Sequence, residues 1–347
     1  MTARKWLLGF AVIFVSLKTW ADVQYLRLAR GKVVAYEYIE QNASGAALVL
    51  LPGVNRSLTP QDSSVRLLAQ QGWNILMPSF SAHPLSIAGL DKNEIPYFTF
   101  DTNTRSAQFA EEVQALVQFL GIKKALPVTL SYSSSVGAYL NASLFPHVIE
   151  TVPLGTALEA DPEAARNSQL WENWLRLNPF MAPFWIRQFR DQAYTLHWSQ
   201  TVDANLRRDP EFYGESPRVS DIKAGYVTIA RAVEDFNFPA WDFRSEKRTR
   251  DFVLAGKENP ERLKNQMEVL RRYIATGRPV RVVVVAPAGH ILPTNQPEVY
   301  AGVVGLLARE SRGEGVRFAV INSAENLKSV RWQSREALDQ WIKENQH

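Results

Sequence analysis

The sequence predicts an α/β fold: a mostly parallel, doubly wound sheet with helices on both faces. Three observations predict it. Short continuous apolar runs recur, as buried parallel strands require. Amphipathic helical segments alternate with them. A segment of different character, rich in aromatic residues, interrupts the alternation at about 157–245 and divides it into an early and a late block.

The elements follow in order. Val23 to Ala29 alternates as a half-buried strand does, Gly31 turns the chain, and Lys32 to Ile39 reads as the hairpin partner. Ala46 to Leu51 is a buried strand that ends in Pro52-Gly53-Val54-Asn55. Gln61 to Gln71 has helical spacing and stops at Gly72, and Trp73 to Met77 is a second buried strand. The stretch Pro78 to Leu90 reads as a loop carrying His83. Thr104 to Leu120 puts Phe109, Val113, Leu116, Val117 and Leu120 on one stripe of a helix. After Gly121 comes Val128-Thr129-Leu130, a serine-rich turn, and a segment that reads as a helix. Val148 to Leu154 is another strand. Beyond the interruption, Asp251 to Ala255 is a strand, Pro260 to Ala275 a helix, Val280 to Ala286 a strand and Pro297 to Arg309 a helix. The tail after Gly313 adds a strand (Val316 to Ile321) and a helix (Ser334 to Glu344), with no role assigned to it.

Composition narrows the function. The 347 residues are 46% hydrophobic and 21% charged, which supports a large core and argues against disorder. With no cysteine, disulfides, thiol catalysis and cysteine-bound metals are excluded. The first 21 residues resemble a secretory leader, with Arg4 and Lys5, then the apolar run Trp6 to Leu17, then Thr19-Trp20-Ala21. Cleavage there implies a periplasmic or secreted protein; an uncleaved leader would make the same segment a membrane anchor. The leader carries Arg4, Lys5 and Lys18 and no acid, so 39 basic residues less these three leave 36 against 35 acidic, a net charge of +1. No basic patch laced with aromatics is present, so no nucleic-acid partner is expected. The histidines are scattered, no dinucleotide fingerprint or phosphate loop occurs, and no metal or cofactor is expected.

The chemistry concentrates at four places. Ser131-Tyr132-Ser133-Ser134-Ser135-Val136-Gly137 lies between a strand and a helix and has the layout of a nucleophile elbow, with small residues two positions either side of a serine. Two registers fit. Ser133 is flanked by Ser131 and Ser135, and Ser135 by Ser133 and Gly137. The short strand favours Ser133, because Ser135 would extend it through polar Ser131 and Ser133. A serine-rich helix cap without chemistry is the plain structural alternative. Leu50-Leu51-Pro52-Gly53-Val54 ends the first buried strand, Lys257-Glu258-Asn259-Pro260 follows a late strand, and Ala288-Gly289-His290 follows the strongest one.

In this order the four pieces resemble the α/β-hydrolase family, serine hydrolase type, over about residues 23 to 310. The resemblance implies a serine nucleophile, a later acid and a final histidine. It places the nucleophile at Ser133, the proton carrier at His290 and the acid at Glu258. Asn259 stands where an aspartate would be most expected, and Asp161 or Glu159 is a fallback acid. The oxyanion hole would use the amides of Val54 and Ser134. The aromatic segment at 157–245 looks like a lid, which suits a small substrate with a hydrophobic acyl group. The implied activity is cleavage of an ester, or less readily an amide, through an acyl-enzyme. The absent elbow glycines and Asn259 instead favour the alternative, a non-catalytic binding or scaffold protein that retains the fold.

Overall fold

The computed structural model describes residues 22–28, 31–42, 45–54, 57–91, 104–155, 199–200, 202–204, 206–207, 218–233 and 236–345. The leader (1–21), Asp161, Glu159 and the aromatic run from Trp171 to Trp198 lie outside the described residues. No described helix is long and apolar enough to cross a membrane.

Among the described residues, nine strands form one sheet. In chain order they are β1 (Gln24–Arg27), β2 (Val33–Ile39), β3 (Ala47–Leu50), β4 (Asn74–Ser79), β5 (Ala125–Leu130), β6 (His147–Thr151), β7 (Thr249–Ala255), β8 (Val280–Val285) and β9 (Val316–Ile321). Their spatial order is β1-β2-β4-β3-β5-β6-β7-β8-β9. β1 pairs antiparallel with β2, and β2 antiparallel with β4; every other pairing is parallel. The central strands are buried on both faces, which is why they read as unbroken apolar runs.

The helices named here are α1 (Ser63–Gln70), α2 (Pro84–Ala88), α3 (Ser106–Phe119), α4 (Ser133–Tyr139), α5 (Val219–Ala232), α6 (Pro260–Ile274), α7 (Leu292–Asn295), α8 (Pro297–Arg309) and α9 (Arg335–Glu344). Two apolar clusters cover the two sheet faces. One gathers Phe109, Val113, Leu116, Val136 and Tyr273 from α3, α4 and α6, and the other gathers Val65, Leu68, Val303 and Val304 from α1 and α8. α2 breaks the expected loop at 78–90, because Pro84 occupies the first helical position, where a missing N–H costs nothing.

Of the 157–245 segment expected as a lid, the described residues are 199–200, 202–204, 206–207, 218–233 and 236–245. α5 packs on α2 closely enough that a Cβ at Gly225 would lie 2.3 Å from the Ala82 carbonyl oxygen. Tyr226, Ile229, Phe236 and Phe238 enter the core. The tail after Gly313 completes the sheet. β9 pairs with β8 over six residue pairs, and α9 buries Leu338 and Ile342. Just before it, Arg312 reaches Thr249 and the buried Asp251, which also binds Arg281 at 2.5 Å.

Glu37 on β2 is buried opposite Met77. Burial, and then the charge of Asp62, push its carboxyl up from 4.5 to about 7. The folded chain therefore keeps a proton that the unfolded chain gives up between these values. Its contribution is fully present below pH 4.5 and is lost as pH rises through about 7. Glu37→Gln is expected to raise Tm over wild type at about pH 8 and to change it little near pH 4.5. Thermal melts followed by circular dichroism check this; equal shifts at both pH values would contradict it.

Candidate active site

β5 ends at Leu130, so Ser131 is the first residue beyond the strand. Its φ is 55°, in the left-handed region that a non-glycine residue rarely occupies. The turn is held from several sides. The Ser131 amide donates to the Thr151 carbonyl at 3.1 Å, and its own carbonyl accepts from the amides of Ser134 (3.0 Å) and Leu154 (3.1 Å). Val152, the first residue past β6, also has positive φ, 40°. Two unusual backbones thus sit side by side where the chain turns sharply off the sheet, as a strained elbow requires.

The late loops meet this turn. A Cβ at Gly256 would lie 2.7 Å from the Ala286 backbone, so only glycine lets the ends of β7 and β8 approach this closely. The Gly256 amide donates to the Val285 carbonyl (2.9 Å), and the Lys257 amide to the Ala288 carbonyl (2.8 Å). That lacing brings His290 within 2.6 Å of Glu258, Nδ1 to Oε2. On the ring's other side, Nε2 lies 2.8 Å from Ser131 Oγ. A carboxylate can only accept, so Nδ1 carries the hydrogen and Nε2 is free to accept from the serine hydroxyl.

Glu258 is buried, while the His290 side chain keeps 26% of its surface exposed. Burial pushes the Glu258 carboxyl up. The hydrogen bond and charge of His290, the Asn259 amide (2.8 Å) and Arg262 outweigh it, and the net position is below the usual carboxylate value. Asn259 takes no part in the proton chain. It caps α6, its Oδ1 accepting from the Glu261 amide at 3.0 Å.

Ser133 and Ser135, the two expected nucleophiles, do not meet His290. The Ser133 hydroxyl accepts from the Leu130 amide (2.8 Å) and donates to the Leu130 carbonyl (3.1 Å). Ser135 Oγ donates to the Tyr132 carbonyl and accepts from Ser106 Oγ, each at 2.8 Å. Both are fully buried in the first turn of α4, whereas Ser131 is 8% exposed. The run 133–135 forms the first turn of α4 with its hydroxyls bonded to backbone groups of Leu130, Ser131 and Tyr132, and the hydroxyl facing the imidazole is two residues before it. Ser134 is displaced from its expected role for the same reason, because its amide is already bonded to the Ser131 carbonyl. The amide following Ser131 is that of Tyr132, at the head of α4, where helix N–H groups lack an intrahelical partner. Val54 stands in the loop after β3, with Gly53 against Leu130.

The sequence signal for Ser131 was present. Leu130 is the last apolar residue of the strand, and an aromatic residue follows Ser131. Thr129 and Ser133 take the places of the flanking glycines. Thr129 is tolerated because the glycine of the close contact lies on the helix instead: a Cβ at Gly137 would meet Thr129 Cγ2 at 2.7 Å.

The alpha/beta hydrolase family matches residues 48–303, which spans all three of these loops. The chain belongs to that family. On that membership it is a hydrolase. Several solved structures share the fold at low identity. MGS-M2, an alpha/beta hydrolase from a Medee basin deep-sea metagenome library, is 14% identical over 83% of this chain and 98% of its own, with a TM-score of 0.57. A structure reported with carboxylesterases of Nitrososphaera gargenis is 13% identical over 82% and 98%, with a TM-score of 0.54. The enol-lactonase of Burkholderia xenovorans LB400 is 14% identical over 83% and 100%, with a TM-score of 0.52. No curated protein matches the chain. Among the described residues of this alpha/beta hydrolase, no group of three or more His, Asp or Glu could hold a metal ion. A surface cavity of about 470 Å³, lined by Trp241, Arg244 and Arg272 among others, includes none of Ser131, Glu258 and His290.

Proposed function

We propose that this alpha/beta hydrolase is a serine hydrolase that cleaves esters through an acyl-enzyme on Ser131. The observation that carries the reading is the position of the His290 ring, 2.8 Å from the Ser131 hydroxyl and 2.6 Å from the Glu258 carboxylate.

The steps follow from those contacts. Ser131 Oγ attacks the acyl carbon as its proton passes to His290 Nε2. Glu258 holds the tautomer that makes this transfer possible and stabilises the imidazolium that results. The amides of Tyr132 and Val54 receive the oxyanion, each such donor being worth about 3 kcal/mol. His290 returns its proton to the departing alkoxide, the acyl–oxygen bond of the substrate breaks, and the acyl group remains on Ser131. Water, deprotonated by the same imidazole, then releases the acid. An ester is preferred over an amide because an alkoxide is a less basic leaving group than an amine anion. The aromatic residues between 171 and 198 suit a small substrate with an apolar acyl group. The leader-like first 21 residues support export to the periplasm or medium, and N-terminal sequencing of protein made in an exporting host is expected to begin at Asp22.

The test is covalent labelling of the folded protein with a fluorophosphonate, mapped by peptide mass spectrometry, alongside hydrolysis of p-nitrophenyl esters of increasing chain length. The expected adduct is on Ser131, with measurable release of p-nitrophenol. No adduct and no turnover would leave the non-catalytic reading of the fold in its place.

A further inference from the structure

We propose that His83 is a positioning residue: it ties the residue after the nucleophile to the loop after β3, and so fixes both halves of the oxyanion site at once. This rests on the serine hydrolase reading above.

The connections are atomic. Tyr132 follows Ser131, and its phenol oxygen lies 3.1 Å from His83 Nε2. The other ring nitrogen, Nδ1, lies 3.4 Å from Ser57 Oγ. Ser57 stands three residues beyond Val54, and its hydroxyl bonds to Ser79 Oγ at the end of β4. One imidazole therefore bridges from the elbow to the segment that leaves the oxyanion loop. Tyr132, His83 and Ser79 are each 1% exposed, and Ser57 is 7% exposed.

The surroundings hold the ring in this bridge. Phe80 meets His83 edge-on at 5.5 Å between ring centres, and meets Tyr132 edge-on at 6.1 Å. The His83 amide donates to the Phe80 carbonyl at 2.7 Å, and His83 precedes the first turn of α2. Burial lowers the imidazole to about 3 and raises the Tyr132 phenol well above its ordinary value. Both are neutral at working pH, so the pair neither attracts nor repels the oxyanion as a charge would. A consistent set of donors follows. The phenol donates to Nε2, Nδ1–H points at Ser57, and Ser57 donates to Ser79. The Tyr132 backbone is held separately, its carbonyl accepting from the Ser135 amide (3.0 Å) and hydroxyl (2.8 Å). The Tyr132 N–H shares a peptide plane with the Ser131 carbonyl, which accepts from the amides of Ser134 and Leu154; with Ser135 on the following carbonyl and His83 on the side chain, Tyr132 is held on every side of that amide. An apolar residue would fill this volume without desolvating an imidazole, so the polar bridge does something packing alone does not require.

Three variants test it on p-nitrophenyl acetate, with kcat, KM and Tm measured for each: His83→Leu, Tyr132→Phe and the double variant. His83→Gln, which returns a polar group near the Nε2 position, is the rescue. Each single change is expected to lower kcat about tenfold, short of the 10²–10³ for complete loss of an oxyanion donor. KM should move less than about twofold, because the oxyanion exists only in the transition state. The double variant should be no slower than His83→Leu alone, since both changes break one bridge. His83→Gln should recover part of kcat. Should His83→Leu fail to fold, Tyr132→Phe still decides, since it removes one oxygen and keeps the amide. The proposal is overturned if Tm falls while kcat stays within about twofold of wild type, or if the two losses simply multiply. Wild-type protein that takes no label at Ser131 overturns both this proposal and the reading it rests on. Label at Ser131 with kcat unmoved in the variants overturns this proposal alone.

Discussion

Ser131→Ala is expected to abolish both fluorophosphonate labelling and turnover, with kcat reduced by about 10⁶. Removal of the nucleophile leaves His290 with no hydroxyl at Nε2, and no described hydroxyl replaces it within hydrogen-bond distance. Tm should change little, because among the described residues the hydroxyl bonds to the partly exposed imidazole. Ser133→Ala is the decisive companion. It should keep the Ser131 adduct and most of kcat, yet lose about 1 kcal/mol of stability, because its hydroxyl satisfies both the amide and the carbonyl of Leu130. The reverse pattern, with labelling lost in Ser133→Ala and kept in Ser131→Ala, would require the first turn of α4 to unwind and would end this assignment.

That contrast also shows how far the sequence reaches. The elements were legible because each carries its own period. β8 and β9 follow apolar runs that need no context, and α8 begins at Pro297 and ends at Arg309 as its stripe dictates. The meeting of His290 with Glu258 was legible because a strong strand and a short loop precede each. Which serine faces His290 was not, because four serines among five residues satisfy a small-residue pattern in more than one way. What separates them is where β5 stops. That is fixed by its pairing with β6, Leu130 opposite Thr151, a contact between residues far apart in sequence. On the proposed reading the oxyanion donor moves with the serine, from Ser134 to Tyr132. The role of His83 could not be read from a loop of unknown path, since it depends on Phe80, Tyr132 and Ser57 converging from three separate segments.

Glu258→Gln is expected to lower kcat by about 10⁴. The amide can still meet the ring, but it no longer favours hydrogen on Nδ1 and carries no charge to stabilise the imidazolium. The pH dependence has a definite sign. The folded carboxyl lies below its ordinary 4.5, so the stability it contributes is present above pH 4.5 and is lost as pH falls through the folded value. Wild-type activity at any pH above 4.5 is therefore not limited by Glu258 protonation, and the variant should lose its margin over unfolding in that range rather than at lower pH. Asn259→Ala separates the acid from its neighbour. The amide that donates to Glu258 at 2.8 Å belongs to the backbone and survives the change. The cap on the Glu261 amide does not survive, so about 1 kcal/mol of stability is lost with kcat retained. Matched kcat and Tm measurements on the two variants distinguish the roles. A kcat loss in Asn259→Ala as deep as that of Glu258→Gln would place the orienting group on the asparagine, and the charge argument for the imidazolium would fall with it.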